Sequence, residues 1–276
     1  METEYSIEPS SSIASVAEGV TRPHEAHRLA CLEVWGGNRS ITTTISGAGL
    51  SGWLWSQSAD GEHGGDVYLA SLCYAGVISR FFVADVVGHG AVASEWGVRL
   101  AGLIRSRMDM PDQLRLVKIL NRGFFKMSDL GRFATAVLAT YVQPTRSLLL
   151  CNAGHPRPLY YCSAEDRWIY LPGAIESQYQ DTGNLPLGIV PDATYQQYEL
   201  SLADRDLIVL YTDGLPECRN LNNVMLGEDG LLALTRGLST DEPAAFMGQL
   251  RAAIARWRGD GPFGDDLTVL LLTPTA

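Results

Sequence analysis

The sequence predicts an α+β protein built as a layered sandwich, with helices packed outside antiparallel β-sheets. Three observations lead there. The hydrophobic period switches in a definite order along the chain: strand-like runs, two helices, more strands, two helices and a last strand. Successive strand-like runs are joined by short turns, Pro144-Thr145-Arg146 and Ser163–Asp166, which imply hairpins and hence antiparallel pairing. The composition, 46% hydrophobic and 19% charged over 276 residues, supplies enough apolar surface for a packed core.

Taken in order, residues 1–28 are polar, Ser-rich and acidic and read as a flexible tail, and 29–276 read as a single domain with no internal linker. His24 and His27 stand in that tail as H-E-A-H, a spacing that suits a metal on one helical face, but no third ligand lies nearby and a solvated pair is expected. Strand-like runs follow at 29–35, 40–46, 53–57, 66–73 and 78–85, the last nearly continuous in apolar residues, as suits a strand buried on both faces. After Gly88-His89-Gly90 the period becomes helical, with Val92, Trp96, Leu100, Leu103, Ile104 and Met108 on one face of 91–108. Pro111-Asp112 opens a second helix carrying Leu114, Val117, Leu120 and Phe124. Strands return at 133–142 and 147–152, then at 157–162 and 167–171, before a Gly- and Pro-containing irregular stretch at 172–194. Strands at 195–200 and 206–211, helices near 229–237 and 243–257, and a strand at 267–272 complete the chain.

Charge and composition exclude several classes of function. With 21 Lys plus Arg against 31 Asp plus Glu, the net charge is −10, which provides no global field for nucleic acid or anionic lipid. Five cysteines, without a C-x-x-C pair, fit neither a disulfide framework nor a structural zinc site. The N-terminus lacks a signal peptide pattern and no apolar run is long enough to span a bilayer, so a cytoplasmic location without membrane association is expected. G-A-G-L-S-G at 47–52 matches the dinucleotide fingerprint in letters, but the following W-L-W-S-Q reads as strand where that fingerprint opens a helix. Asn38-Arg39-Ser40 has the form of a glycosylation sequon with no secretion signal to make it meaningful.

Four aspartates stand at the ends of apolar strands beside or within three residues of glycine: Asp66 in H-G-G-D-V-Y, Asp85 in A-D-V-V-G-H-G, Asp213 in L-Y-T-D-G and Asp265 in F-G-D-D-L-T-V. A carboxylate at a buried strand end is costly unless it meets a cation or a dense set of donors. Singly, each reads equally well as a turn-former or helix cap. Together they form an oxygen-only donor set of the kind magnesium and manganese prefer, and two such ions hold four positive charges that three or four aspartates nearly balance.

The ordered motifs G-G-D, A-D-V-V-G-H-G, N-A-G-H-P, L-P-L-G-I, L-Y-T-D-G-L-P-E and D-D-L-T-V, over about residues 50–273, resemble the metal-dependent type 2C serine/threonine phosphatases. The likeness is to the bacterial branch of sporulation stage II protein E and the sigma-regulator phosphatases. The resemblance implies an αββα sandwich of two mostly antiparallel sheets, with two Mn2+ or Mg2+ ions at one end. It implies that Asp85 bridges both ions, that the Val86 carbonyl completes the second with Asp66 beside it, that Asp213 and Asp265 complete the first, and that Asp266 has a supporting role. It also implies hydrolysis of phosphoserine or phosphothreonine on a regulatory, anti-anti-sigma-like protein, with a separate protein as a possible regulator. The alternative is a non-catalytic phosphoprotein-binding regulator on the same fold. The chain departs from the family's D-V-S-G-H-G in having Val87 at the serine, which leaves every carboxylate intact. His89 has two open readings, general acid for the leaving seryl oxygen or a tie between the loop and a carbonyl. His155 in N-A-G-H-P reads as structural, and no arginine matches the family's phosphate clamp.

Overall fold

The computed structural model describes residues 26–73, 75–128, 131–171, 184–259 and 261–275. The element order is β1 (His27–Arg28), β2 (Val34–Arg39), β3 (Ile41–Ser46), β4 (Leu50–Gln57), β5 (His63–Cys73), β6 (Ile78–Val86), α1 (Gly90–Arg105), α2 (Gln113–Met127), β7 (Ala134–Val142), β8 (Ser147–Ala153), β9 (Leu159–Cys162), β10 (Arg167–Tyr170), β11 (Tyr198–Ser201), β12 (Leu207–Tyr211), α3 (Gly227–Arg236), α4 (Pro243–Arg258) and β13 (Leu267–Pro274). They form a seven-stranded sheet, β1-β3-β4-β13-β12-β9-β10, and a six-stranded sheet, β11-β8-β7-β6-β5-β2. Every pairing between these strands is antiparallel except β1 with β3. This is the αββα sandwich that the motifs imply.

The continuous apolar runs are explained by burial on both faces. Neighbours along a strand point opposite ways, so Phe81, Val137 and Leu270 enter the core between the sheets while Phe82 and Leu138 meet α1 and α2, and Leu271 meets α3 and α4. The helices supply Leu100, Ile104, Leu120 and Phe124 to one outer layer and Leu231, Phe246, Leu250 and Ile254 to the other. As Pro111-Asp112 predicts, the Asp112 side chain caps α2 by accepting from the Arg115 amide at 2.9 Å. No helix among the described residues is long and apolar enough to cross a membrane.

Several boundaries differ from the expectation. Residues 1–25 and 172–183 lie outside the described residues, so the flexible-tail reading bears only on 26–28 here. There His27 and Arg28 are paired with β3, and the His27 ring stacks on Trp35 at 4.9 Å and bonds Glu33 at 2.8 Å. Of the strand expected at 29–35, only Val34 and Trp35 are strand, as the start of β2; 29–33 form a turn, with Leu32 at φ 64° and 73% exposed. Apolar letters alone suggested strand, but Glu33 closes the turn through its side chain onto the Ala30 amide. The 47–52 motif ends in β4 rather than a helix, as its sequence context indicates. Asn38 is buried, donating to the carbonyls of Gly64 and Ser94, and is no acceptor for a glycan.

Candidate metal centre

Strand register builds the centre. β5 and β6 pair with Asp66 opposite Asp85, and β6 and β7 pair with Asp85 opposite Thr135. Directly opposed residues share a face, so Asp66, Asp85 and Thr135 form a row across three strands of the six-stranded sheet. The other sheet brings Asp213, just past the end of β12, and Asp265, just before β13, which are held side by side because β12 and β13 pair. The two sheets are tied at this end by the Thr212 hydroxyl, which donates to the Asp66 carboxylate at 2.8 Å and accepts from the Thr268 amide at 2.8 Å.

Asp266 secures the loops around this end. Its carboxylate accepts from the Ala59 amide at 2.8 Å and the Gly65 amide at 2.6 Å, joining the β4–β5 connection to the start of β13. The backbones come close enough that glycine is required: a Cβ at Gly214 would lie 2.0 Å from the Asp266 carbonyl oxygen. At Gly65 a Cβ would stand 3.1 Å from the carbonyl oxygen of Val86, so the open approach to that carbonyl depends on the missing side chain.

Electrostatically the centre is a set of unneutralised carboxylates. Burial pushes Asp85 up to about 8, helped by repulsion from Asp213, Asp265, Asp266 and Glu217. Burial and then Asp265 and Glu217 push Asp213 up to about 6. Asp265 is raised chiefly by burial, and Asp66 is raised well above the usual range by burial and by Asp85. No lysine or arginine is among the leading influences on these four groups; His89 lowers Asp265 weakly. Among the described residues no three His, Cys, Asp or Glu side chains already stand together as a finished cage. Asp66 and Asp266 accept instead from protein donors. The donors themselves, carboxylates with the nearby Val86 carbonyl and no thiolate, suit a hard divalent cation, and the missing positive charge is what such an ion supplies.

His89 is exposed at the N-cap of α1, and its ring makes no hydrogen bond with a described residue, so the loop-tie reading has no support in the geometry. The Val87 amide, in the same loop, donates to the Phe133 carbonyl at 3.1 Å and holds the turn without a side-chain hydroxyl. His155 is buried and bonds the Thr135 hydroxyl through Nδ1 at 2.9 Å, while Asn152 locks its turn through the His155 amide and carbonyl. Burial lowers His155 to about 3 and keeps it neutral; the Tyr211 backbone exerts a small opposing pull on the ring without meeting hydrogen-bond geometry at Nε2. Sequence reasoning missed Glu217, whose charge acts on Asp85, Asp213 and Asp265. The available signal was its place four residues after Asp213, where its amide bonds the Asp213 carbonyl at 2.9 Å. It also missed Thr212 and Thr268, whose hydroxyls carry no motif of their own.

Residues 79–275 match the stage II sporulation protein E (SpoIIE) family. A curated relative, phosphoserine phosphatase RsbU of Bacillus subtilis (strain 168), is 31% identical over 148 residues, 52% of this chain and 40% of the relative. This chain therefore spans about two fifths of the length of that relative. Among solved structures, the RsbU and RsbW domains of Rv1364c from Mycobacterium tuberculosis superpose with a TM-score of 0.68 at 21% identity, over 87% of this chain and 63% of that one. RsbX in complex with magnesium superposes at 0.61 with 16% identity, over 85% of this chain and 100% of that one. The fold is thus shared with these proteins, and by the match over residues 79–275 the chain belongs to the stage II sporulation protein E family.

Proposed function

We propose that this chain is a metal-dependent serine/threonine protein phosphatase acting on a phosphorylated regulatory protein of the anti-anti-sigma type. The observation that supports it is the meeting of Asp85 with Asp213 and Asp265 from the opposite sheet in one unneutralised charge field, in a member of this family. In this reading Asp85 serves two Mn2+ or Mg2+ ions, Asp213 and Asp265 serve one, and Asp66 and the Val86 carbonyl serve the other. Bound there, the ions supply Lewis acidity toward the phosphoryl group and lower the pKa of the attacking water. The chain's residues do the rest. Asp266 holds the loops by its two amide contacts. Thr212 orients Asp66. His89, exposed beside Asp265 and without a side-chain hydrogen bond to a described residue, stands ready to give a proton to the departing seryl oxygen. The RsbU relative is by name a phosphoserine phosphatase and the RsbX neighbour was solved with magnesium, which supports both the reaction and the ion class. A cytoplasmic location and a separate regulator belong to the same reading. The test is release of phosphate from a phosphoserine protein with Mn2+ or Mg2+ and with excess chelator. Metal-dependent turnover is expected; binding of the phosphoprotein with no turnover under any divalent ion would favour the non-catalytic regulator.

A further inference from the structure

The metal centre opens on one side into a cleft of about 500 Å3, whose wall includes Gly214, Glu217 and Asp265 from the centre and Arg219, Arg258 and Phe263 beyond it. Past Arg258 and Phe263 lies a second cleft of about 370 Å3. Its floor is the small face of α4, Gly248, Ala252 and Ala255, with Arg251 beside it and Trp55 on the wall. The Arg258 guanidinium lies 4.3 Å from the Phe263 ring centre and that of Arg251 lies 5.3 Å from the Trp55 ring, while the two rings meet edge-on at 6.0 Å. An arginine stacked this way holds its fork flat and rigid while leaving its edge N–H groups to donate. Neither Arg251, Arg258 nor Arg219 forms an ion pair with a described carboxylate, although six other arginines do. Arg258 Nε is buried and has no hydrogen-bond partner among the described residues.

From this arrangement we infer that the two clefts form a track for an acidic segment of the phosphoprotein, with carboxylate side chains flanking the phosphorylated residue pairing with Arg258 and Arg251. This rests on the phosphatase reading and names the substrate feature that the site selects. The charge argument is specific. A protein of net charge −10 repels a phosphorylated, acidic partner at long range. Arg251 and Arg258, which form no ion pair with a described carboxylate, place positive charge along the clefts, while Arg219 is tied to the Asn223 carbonyl at 3.0 Å; planar forks pair with carboxylates in two-point geometry. The aromatic and alanine surfaces between them accept the aliphatic stems of Glu side chains.

The test uses phosphoserine peptides that differ only in two flanking residues, both Glu, both Gln or both Lys, with the wild-type protein, R251Q/R258Q and R251E/R258E. The wild type is expected to process the Glu peptide about tenfold better than the Gln peptide in kcat/KM, mostly through KM. R251Q/R258Q should lose that preference while hydrolysing p-nitrophenyl phosphate, which lacks the flanking residues, as the wild type does. R251E/R258E should prefer the Lys peptide, a gain that misfolding cannot produce. Fluorescence anisotropy of labelled peptides with Ca2+ in place of Mn2+ reads the same preference without turnover. It separates failure of the track from failure of the phosphatase reading. Equal handling of the Glu and Gln peptides by the wild type in binding, or an equal loss for both in R251Q/R258Q, overturns the inference.

Discussion

Burial and four other carboxylates oppose the ionisation of Asp85 and push it up to about 8. Removing its charge should therefore separate function from stability. Asp85→Asn is expected to lose several orders of magnitude in turnover, because the residue assigned to both ions is gone. Its thermal midpoint in chelator should rise, because the repulsion is gone too; differential scanning fluorimetry beside a phosphate-release assay checks both. A variant with near wild-type turnover would remove Asp85 from the site. His89 allows a second separation. Seryl alkoxide is a poor leaving group and needs a proton, whereas a nitrophenolate hardly does. His89→Ala should thus lower turnover of a phosphoserine substrate by about 10²-fold and that of p-nitrophenyl phosphate far less. Equal losses on both would assign His89 a structural role. Both residues were legible in the sequence, because an aspartate at the end of an apolar run and a histidine between two glycines just after it are conspicuous. Glu217 was not: in sequence it is an ordinary exposed glutamate, and only the turn after Asp213 carries its charge to the centre.

At the scale of elements, the centre depends on two connections packing without a side chain between them. In Gly214→Ala the new Cβ would lie 2.0 Å from the Asp266 carbonyl, so the loop after β12 or the start of β13 has to move. We expect a loss of about 1–3 kcal/mol in stability, the usual cost of overpacking, together with weaker Mn2+ binding by calorimetry, since Asp213 and Asp265 lie on the two displaced segments. Unchanged metal affinity would show that the two loops carry no ligand geometry. The hairpins β7–β8 and β9–β10 and the start of α2 were readable because each has local turn or cap chemistry, Pro144-Thr145-Arg146, Ser163–Asp166 and Asp112. The turn at 30–33 and the two-residue β1 were not, because they depend on the Glu33 side chain and on pairing with β3, neither of which leaves a period in the sequence. The same limit applied to the row Asp66, Asp85 and Thr135. Asp66 and Asp85 were visible singly and Thr135 was not, and their alignment is a matter of register across three strands, which strand propensity does not specify.

The whole molecule should report its metal centre through the pH dependence of folding. In the metal-free protein Asp85 titrates near 8 and Asp213 near 6, both above the unfolded value near 4, so between about pH 4 and 8 the folded state binds more protons than the unfolded state. Their effect on stability is most favourable at the acidic end of that window and is lost as pH rises through 6 and then 8. His155 has the opposite sign. Its folded value near 3 lies below the unfolded value of about 6.5, so its contribution is full above about 6.5 and is lost as pH falls toward 3. The sum gives metal-free protein a stability maximum in mildly acidic solution and a decline toward pH 8. Saturating Mn2+ or Mg2+ holds the carboxylates ionised, so ion binding strengthens with pH and should flatten or reverse that decline. Thermal midpoints measured from pH 5 to 8.5, in chelator and in excess metal, should therefore diverge progressively above pH 6. His155→Gln should remove part of the acid-side loss without altering the divergence. If the chelated protein instead becomes more stable from pH 6 to 8 and tracks the metal-loaded curve, the carboxylates at this end of the sandwich are not mutually repelling, and the charge argument for a cation centre fails with them.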